Sequence, residues 1–167
     1  MNAPPAPAQP GRVASLHLHP AEPGAPLRSV EEIEAVKAKG LLNDSRYFAR
    51  ISRSSGQPSR RQVSLIEREQ IAGHAAALGQ QSIPPGAVRA NIETSGIDLV
   101  TILGRQIQIG KAVLLLYEPR TPCAKMDAIC SGLRALMKDN RQGVLAEVVR
   151  SGKIRVGDSI SVRGPDL

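Results

Sequence analysis

Apolar and polar positions along the chain predict short β-strands more often than helices. Residues 13–19 alternate apolar and polar side chains and predict a first strand, which prolines 20 and 23 close. Further strand-length runs follow in the second half of the chain, separated by glycine turns. They lie at residues 87–92, 104–110, 113–117, 144–149, 153–156 and 159–162. Short strands with glycine turns are typical of a closed β-barrel.

Helix signals are fewer. Ser29, followed three residues later by Glu32, forms a capping box and predicts a helix that ends at Gly40. Residues 67–78 carry apolar side chains about two turns apart and predict a second helix. Residues 126–138 predict a third helix, with apolar side chains along one face.

The remaining segments complete the predicted architecture. Residues 47–51 and 62–65 predict strands on either side of a basic loop, and residues 93–96 predict a polar turn. The order of elements has no βαβ rhythm, which disfavours a doubly wound sheet. The pattern therefore predicts a mainly β fold with flanking helices, built as a closed or nearly closed β-barrel.

Length and composition limit the class of protein. A chain of 167 residues suits one domain, which we place at residues 12–163 between a disordered N-terminal tail (1–11) and a short C-terminal tail (164–167). Aromatic residues make up only 2%, so base-stacking platforms, and with them nucleic-acid binding, are disfavoured. The first residues lack a secretory signal and no apolar run is long enough to span a bilayer, so we expect a cytoplasmic protein without membrane contact.

The net charge of +7 is unevenly distributed. Arginines are concentrated in the first half, around a Ser/Gly-rich loop: Arg46, Arg50, Arg53, Arg60, Arg61 and Arg68. Such a cluster can follow a chain of phosphates, be a solvated loop, or hold one compact anion through bidentate contacts. Charge alone does not rank these three alternatives.

Cys123 is the strongest candidate for chemistry. It ends the run Pro119-Arg120-Thr121-Pro122-Cys123, where an apolar strand stops and a helix is predicted to begin, and Arg120 and Lys125 flank it. Cations and helix N-termini favour the thiolate, which is the form that attacks or binds metals. Cys130, the second cysteine, falls on the apolar side of the predicted helix and is interpreted as a core residue.

Common catalytic and metal sites lack their partner residues. His17 and His19 are predicted on one face of a surface strand, and His74 is interpreted as a surface or boundary residue of a helix, so Cys123 has no obvious base or orienting group. The two cysteines are too isolated for a thiolate zinc site. A single thiol can still bind a metal that arrives within a cofactor carrying its other ligands.

Six blocks of sequence, in order, resemble the MOSC domain, which is named for the C-terminal domain of molybdenum-cofactor sulfurases. They are residues 89–99, 103–105, 109–114, 119–123, 143–144 and 152–158. The resemblance covers roughly residues 12–163. It implies a β-barrel that binds a pterin-based molybdenum cofactor, with Cys123 as the protein ligand to molybdenum and with Arg89 and Asn91 helping to hold the cofactor.

The residue chemistry agrees with this implied cofactor. A thiolate is a soft donor suited to such a metal. The pterin carries a phosphate, to which three arginines offer forked donors: Arg46, Arg89 and Arg120. Asn91 is expected to read the pterin edge, and the turn at Thr94 and Ser95 to present backbone N–H groups.

Stand-alone members of the family imply a reductase of small N-oxygenated substrates, namely N-hydroxylated bases and amidoximes. The sequence carries no flavin or iron–sulfur motif, so electron-transfer proteins of those kinds would act as separate partners. The alternative is a non-catalytic carrier, in which Cys123 holds a persulfide sulfur or transfers the cofactor. Asp98 and Asp127 are candidate proton donors.

One loop departs from the family pattern. Many members carry Gly-x-x-Gly-Asp-Arg, whereas residues 40–46 lack the second glycine and place Ser45 between Asp44 and Arg46. The extra residue changes the spacing that would place Arg46 at the cofactor.

Overall fold

The computed structural model describes residues 10–123 and 125–164. Strands in this part are β1 (Gly11–Leu18), β2 (Arg28–Val30), β3 (Glu32–Val36), β4 (Gly40–Leu41), β5 (Val63–Glu67), β6 (Ile92–Ser95), β7 (Gln106–Ile109), β8 (Ala112–Pro119), β9 (Val144–Arg150), β10 (Gly152–Arg155) and β11 (Ser159–Val162). Helices are α1 (Arg68–Ala77), α2 (Lys125–Ile129) and α3 (Leu133–Leu136), with a 3-10 turn at Val100–Ile102. The predicted tails fall largely outside the described residues.

A closed barrel forms the centre of the molecule. Neighbouring strands pair in the order β11-β7-β8-β9-β5-β6-β1, and β1 returns to β11 through Gly11 and Ile160. The strand pairs are antiparallel except β5 with β6, which is parallel. β2 extends the sheet beside β1, and β10, β3 and β4 form a second small sheet. The predicted mainly β, closed-barrel fold is confirmed.

Aliphatic side chains fill the barrel, as the scarcity of aromatics requires. Leu16, Leu65, Ile107 and Leu114 are fully buried in its interior. A second apolar cluster lies beneath α1 and α3, where Ile66, Ile71 and Leu133 pack together. Burying such side chains contributes about 2 kcal/mol each to folding. Cys130 is half-buried and packs against this second cluster, in agreement with its interpretation as a core residue.

The predicted helix after Ser29 is wrong. The segment forms β2 and β3 instead, and along β3 the side chains alternate between exposed and buried. Ile33 and Ala35 point into the core while Glu32 and Glu34 face solvent, and β3 pairs with β10 and β4. A period of two with pairing partners on both sides outweighs the helical preference of Glu, Ala and Lys.

Four other predicted elements are corrected. Residues 47–51 form turns, with only an isolated bridge between Ile51 and Pro58. Residues 87–91 are turn and loop, and the predicted polar turn that follows is strand β6, whose Glu93 and Thr94 are fully buried. The third predicted helix breaks at Gly132, which adopts φ +90° and separates α2 from α3.

No helix in the described ranges is long and apolar enough to cross a membrane.

Gly143 tests the close packing at the entry to β9. Its φ is +77°, and a β-carbon there would overlap the carbonyl oxygen of Leu65 and crowd Ile66. We expect Gly143→Ala to lower the free energy of unfolding by more than about 3 kcal/mol, since left-handed strain adds to the backbone overlap. Urea unfolding measures this change.

The matched control is Gly56→Ala. Gly56 has a similar φ of +70° but open space around it, so only the conformational strain of about 1 kcal/mol applies. Equal losses in the two variants would contradict the proposed packing constraint.

Candidate functional site

A cleft of about 360 Å³ lies against the barrel. Its lining comes from the loops that follow β1 and β8 and from residues around the starts of β5, β6 and β9, so distant parts of the chain meet there. Its walls carry side chains that the sequence singled out: Arg46, Arg89, Asn91, Arg120 and Cys123. His19, Tyr47, Arg61 and Gln142 also line it.

Asp44 organises the loop on one side of the cleft. Asp44 is only 2% exposed. Its Oδ1 accepts hydrogen bonds from the backbone N–H groups of Arg46 and Tyr47 at 3.1 and 2.9 Å. Burial raises the pKa of Asp44, but hydrogen bonds from His19 and the backbone outweigh it and lower the pKa to about 2. Asp44 is therefore a carboxylate at neutral pH, and it places Arg46 at the cleft despite the inserted Ser45.

The other oxygen of Asp44 joins this loop to two further segments. Oδ2 accepts hydrogen bonds from the backbone N–H of His19 at 3.0 Å, from His19 Nδ1 at 2.8 Å and from Asn91 Nδ2 at 2.9 Å. His19 directly follows β1, and Asn91 directly precedes β6. One carboxylate thus connects the loop after β4 with the ends of two barrel strands.

The amide of Asn91 is already satisfied within the protein. Its Oδ1 accepts from the N–H and hydroxyl of Ser64 at 3.1 and 3.2 Å, and its Nδ2 also donates to the carbonyl of His17 at 3.0 Å. Asn91 lines the cleft, yet its polar atoms hold the wall together. The structure therefore gives Asn91 a positioning role, and its contact with a pterin edge stays a prediction.

Arg120 is a buried cation with no counter-charge in the described part of the chain. Arg120 is 8% exposed, and no Asp or Glu among the described residues lies within ion-pairing distance of it. Nη2 makes a long hydrogen bond of 3.4 Å to the carbonyl of Val88, while Nη1 has no partner in the described part. Burial, with Arg61 adding to it, lowers the pKa of Arg120 to about 10, so the guanidinium remains charged at neutral pH.

Such a group is unfavourable unless a ligand compensates it, because a buried, unpaired charge costs several kcal/mol. Gln142 shows the same deficit on the cleft wall, since its buried Oε1 has no hydrogen-bond partner in the described chain. An unsatisfied donor and an unsatisfied acceptor at one cleft fit a ligand that is anionic and also carries N–H groups.

Further positive charge surrounds Arg120. Arg46 and Arg61 lie over the ring of Tyr47, with their guanidinium carbons 5.4 and 5.1 Å from its centroid. Arg89 is held in the left-handed region with φ 65° and donates to the carbonyl of Ala25 at 3.0 Å. A non-glycine residue in that conformation stores strain of about 1 kcal/mol or more, which is common at binding sites.

Cys123 is exposed at the cleft and is not in a disulfide. It follows the turn after β8 and precedes α2, and its carbonyl accepts a hydrogen bond from the N–H of Met126 at 3.1 Å. Lys125 also lines the cleft. The structure therefore brings the thiol and four arginines of the sequence to one cleft: Arg46, Arg61, Arg89 and Arg120.

Thr94 and Ser95 do not join this group. They belong to β6 and pair with β1, and Thr94 is fully buried inside the sheet. Their backbone N–H groups are not presented by a turn and neither residue lines the cleft, while their contact with the cofactor stays a prediction. Asp98 and Asp127 are likewise absent from the cleft wall, and Asp127 Oδ1 accepts from the N–H of Arg134.

The three histidines are buried, which corrects the surface interpretation. His17 lies between the hydroxyls of Ser15 and Ser29, and burial lowers its pKa. His74 donates through Nε2 to the carbonyl of Arg141 at 2.8 Å. His19 is the histidine at the cleft, and the alternation of residues 13–19 gave no signal for its pairing with Asp44.

No group of three or more His, Cys, Asp or Glu side chains that could hold a metal ion occurs within residues 10–123 and 125–164.

The fold and the site together define a closed mixed β-barrel with a basic, cysteine-bearing cleft. A family model for the MOSC domain matches residues 35–161, and the chain belongs to this family. MOSC domains are associated with the molybdenum cofactor. A comparison with curated proteins gives no match.

Solved structures show the same fold. The YuaD protein from Bacillus subtilis has a TM-score of 0.74 at 20% identity, with 93% of this chain and 97% of that chain covered. YiiM from Escherichia coli has a TM-score of 0.64 at 20% identity, covering 94% and 70%. YiiM from Geobacillus stearothermophilus has 0.67 at 15% identity, covering 93% and 76%.

Asp44→Asn tests the carboxylate that organises the cleft. The folded-state pKa of about 2 lies below the ordinary 3.8, so ionised Asp44 stabilises the fold above about pH 4, and the effect is lost as the pH falls through about 2. We expect the variant to lose about 2 kcal/mol or more at pH 7, because an amide presents N–H groups to buried donors. Denaturant unfolding at several pH values measures the difference.

The difference between wild type and Asp44→Asn should shrink below pH 4 and nearly vanish near pH 2. Asp98→Asn is the control, because Asp98 is exposed and lies away from the cleft. A destabilisation by Asp44→Asn that stays constant from pH 7 to pH 2 would contradict the role of the charge.

Proposed function

We propose that the cleft binds a pterin molybdenum cofactor and that the chain is a reductase of small N-hydroxylated compounds, such as amidoximes. The observation that carries this proposal is Arg120, a buried guanidinium for which the described residues supply no counter-charge, in the cleft that also exposes Cys123. A phosphate-bearing ligand would supply the missing charge. Membership of the MOSC family supports molybdenum cofactor as that ligand.

The cleft residues suit the parts of this cofactor. Arg120, Arg46 and Arg89 would hold its phosphate, since guanidinium groups bind phosphate oxygens through paired hydrogen bonds. Gln142 offers a free acceptor for an N–H group of the pterin. The thiolate of Cys123 would be the protein ligand to molybdenum, because soft donors suit a metal already bound by sulfur.

The bound cofactor would supply two-electron redox chemistry. The protein would bind and orient it. Because Cys123 is exposed, a small substrate could approach the cleft beside this residue. Reduction of an N–OH group to N–H consumes two electrons and two protons and releases one water. We propose that a separate flavin or iron–sulfur protein delivers the electrons, in the reducing cytoplasm.

Cys123→Ala tests the proposed ligand. Protein produced in a host that makes the cofactor should contain close to one molybdenum and one pterin per chain, and the variant should lose at least about 90% of the molybdenum, since its protein ligand is gone. Elemental analysis and pterin fluorescence measure both. Cys130→Ala is the matched control, because Cys130 packs against the second core cluster and does not line the cleft.

A carrier function would give a different result. Metal-free wild-type protein with a cyanide-releasable sulfur on Cys123 would overturn the reductase proposal and identify a persulfide carrier. Molybdenum retained in Cys123→Ala would overturn the assignment of the ligand.

Arg120→Met tests whether the guanidinium serves a ligand rather than the fold. We expect cofactor-free Arg120→Met to be at least as stable as wild type, because replacing an uncompensated buried charge with an apolar side chain removes a desolvation cost. Its molybdenum and pterin content should fall about tenfold or more. Denaturant unfolding and elemental analysis give the two readouts.

Arg105→Met is the control, since Arg105 is exposed and does not line the cleft. It should leave both quantities unchanged. A large loss of stability in cofactor-free Arg120→Met would show that Arg120 is a structural residue.

A further inference from the structure

His19 lines the cleft, and only one of its ring nitrogens, Nδ1, forms hydrogen bonds with the described residues. Its side chain is 4% exposed, and Nδ1 lies 2.8 Å from Asp44 Oδ2. Nε2 makes no hydrogen bond to the described residues, and His19 belongs to the cleft wall.

The hydrogen bond to Asp44 determines where the proton of the neutral ring resides. An ionised carboxylate only accepts hydrogen bonds, so Nδ1 must carry hydrogen when it bonds to Asp44. Asp44 is ionised at neutral pH, because its pKa is about 2. Nε2 is then a lone pair in neutral His19 and a second N–H donor in the protonated ring.

The neighbours of His19 hold the ring in place and surround it with mixed charge. Tyr47 meets the ring edge to face, with centroids 5.0 Å apart, and Asn91 shares the Asp44 oxygen. Asp44 is the negative group against the ring. The positive groups on the cleft wall are Arg46, Arg61, Arg89, Arg120 and Lys125.

We propose that His19 is the proton donor of the reductase, with Asp44 as its positioning residue. This inference rests on the proposed function. In the reaction an N–OH group takes up two electrons from the flavin or iron–sulfur partner and two protons, the N–O bond breaks, and N–H and water form. His19 Nε2–H gives its proton to the departing oxygen, the second proton comes from solvent, and solvent then reprotonates Nε2.

Other acids in the described chain are less suitable. Asp98 and Asp127 do not line the cleft. His17 has both ring nitrogens bonded to serine hydroxyls, and His74 is bonded to the carbonyl of Arg141. His19 alone among the described histidines combines an oriented ring, a free nitrogen and a place on the cleft wall.

His19→Asn distinguishes proton donation by Nε2 from the structural hydrogen bond between Nδ1 and Asp44. The amide N–H of Asn can replace Nδ1–H toward Asp44, whereas nothing replaces Nε2. We expect the variant to retain wild-type molybdenum and pterin, while kcat for an amidoxime falls about 100-fold with a reduced viologen dye as electron donor. The alkaline limb of the wild-type pH profile should disappear, and added imidazole should restore part of kcat.

The control is His74→Asn, which changes a buried histidine away from the cleft and should leave kcat and its pH profile unchanged. A second readout needs no cofactor. Nitrogen-15 NMR of the cofactor-free wild type should show neutral His19 protonated on Nδ1, and this pattern should reverse or become mixed in Asp44→Asn.

Different results would contradict the role of His19 and the proposed reductase function. Wild-type protein without molybdenum, prepared in a competent host, overturns both. Molybdenum-loaded His19→Asn with wild-type kcat and pH profile overturns the role of His19 alone, as does a neutral ring protonated on Nε2. Loss of kcat without rescue by imidazole and without a change in the pH profile would show a merely structural role.

Discussion

The carboxylate of Asp44 holds together three chain segments that form a wall of the cleft. It accepts five hydrogen bonds, from two backbone N–H groups of its own loop, from the backbone and ring of His19, and from the amide of Asn91. Hydrogen bonds to a buried charge are strong only while all partners remain in place. The loop after β4, the end of β1 and the approach to β6 therefore keep one arrangement, and with it Arg46, His19 and Arg89 keep their places at the cleft.

Arg120 shows the opposite balance. Asp44 is compensated within the protein, whereas Arg120 is buried without a counter-ion among the described residues and leaves one donor unpaired. Residues that lower stability and persist at a cleft are characteristic of binding sites, where the ligand supplies the missing interaction. Asp44 thus holds the wall of the cleft together, and Arg120 gives the cleft a buried positive charge.

Sequence patterns predicted the parts that depend on local periodicity. The continuous apolar run of β8, the alternation of β7 and the turns around β10 and β11 all appear where the pattern indicated. The segment after Ser29 forms strands where a helix is predicted. Its sequence carries both a capping box, Ser29 to Glu32, and a strand-like alternation at residues 32–35, and only pairing with β10 decides between them. The polar sequence of β6 predicts a turn, yet the segment is a buried strand because Arg68, 25 positions away, pairs with Glu93.

The candidate site was predicted unevenly for the same physical reason. Cys123 and its flanking cations are neighbours in sequence, and the family blocks indicated Arg89 and Arg120. The Asp44–His19 pair joins residues 25 positions apart, so no local pattern reveals it.

Molybdenum K-edge X-ray absorption tests the central claim, that Cys123 is the protein ligand in a cleft built for an anionic cofactor. We predict a molybdenum–sulfur shell that loses a single scatterer, replaced by an oxygen ligand, when Cys123 is changed to serine. A shell that is identical in wild type and Cys123→Ser would contradict the account.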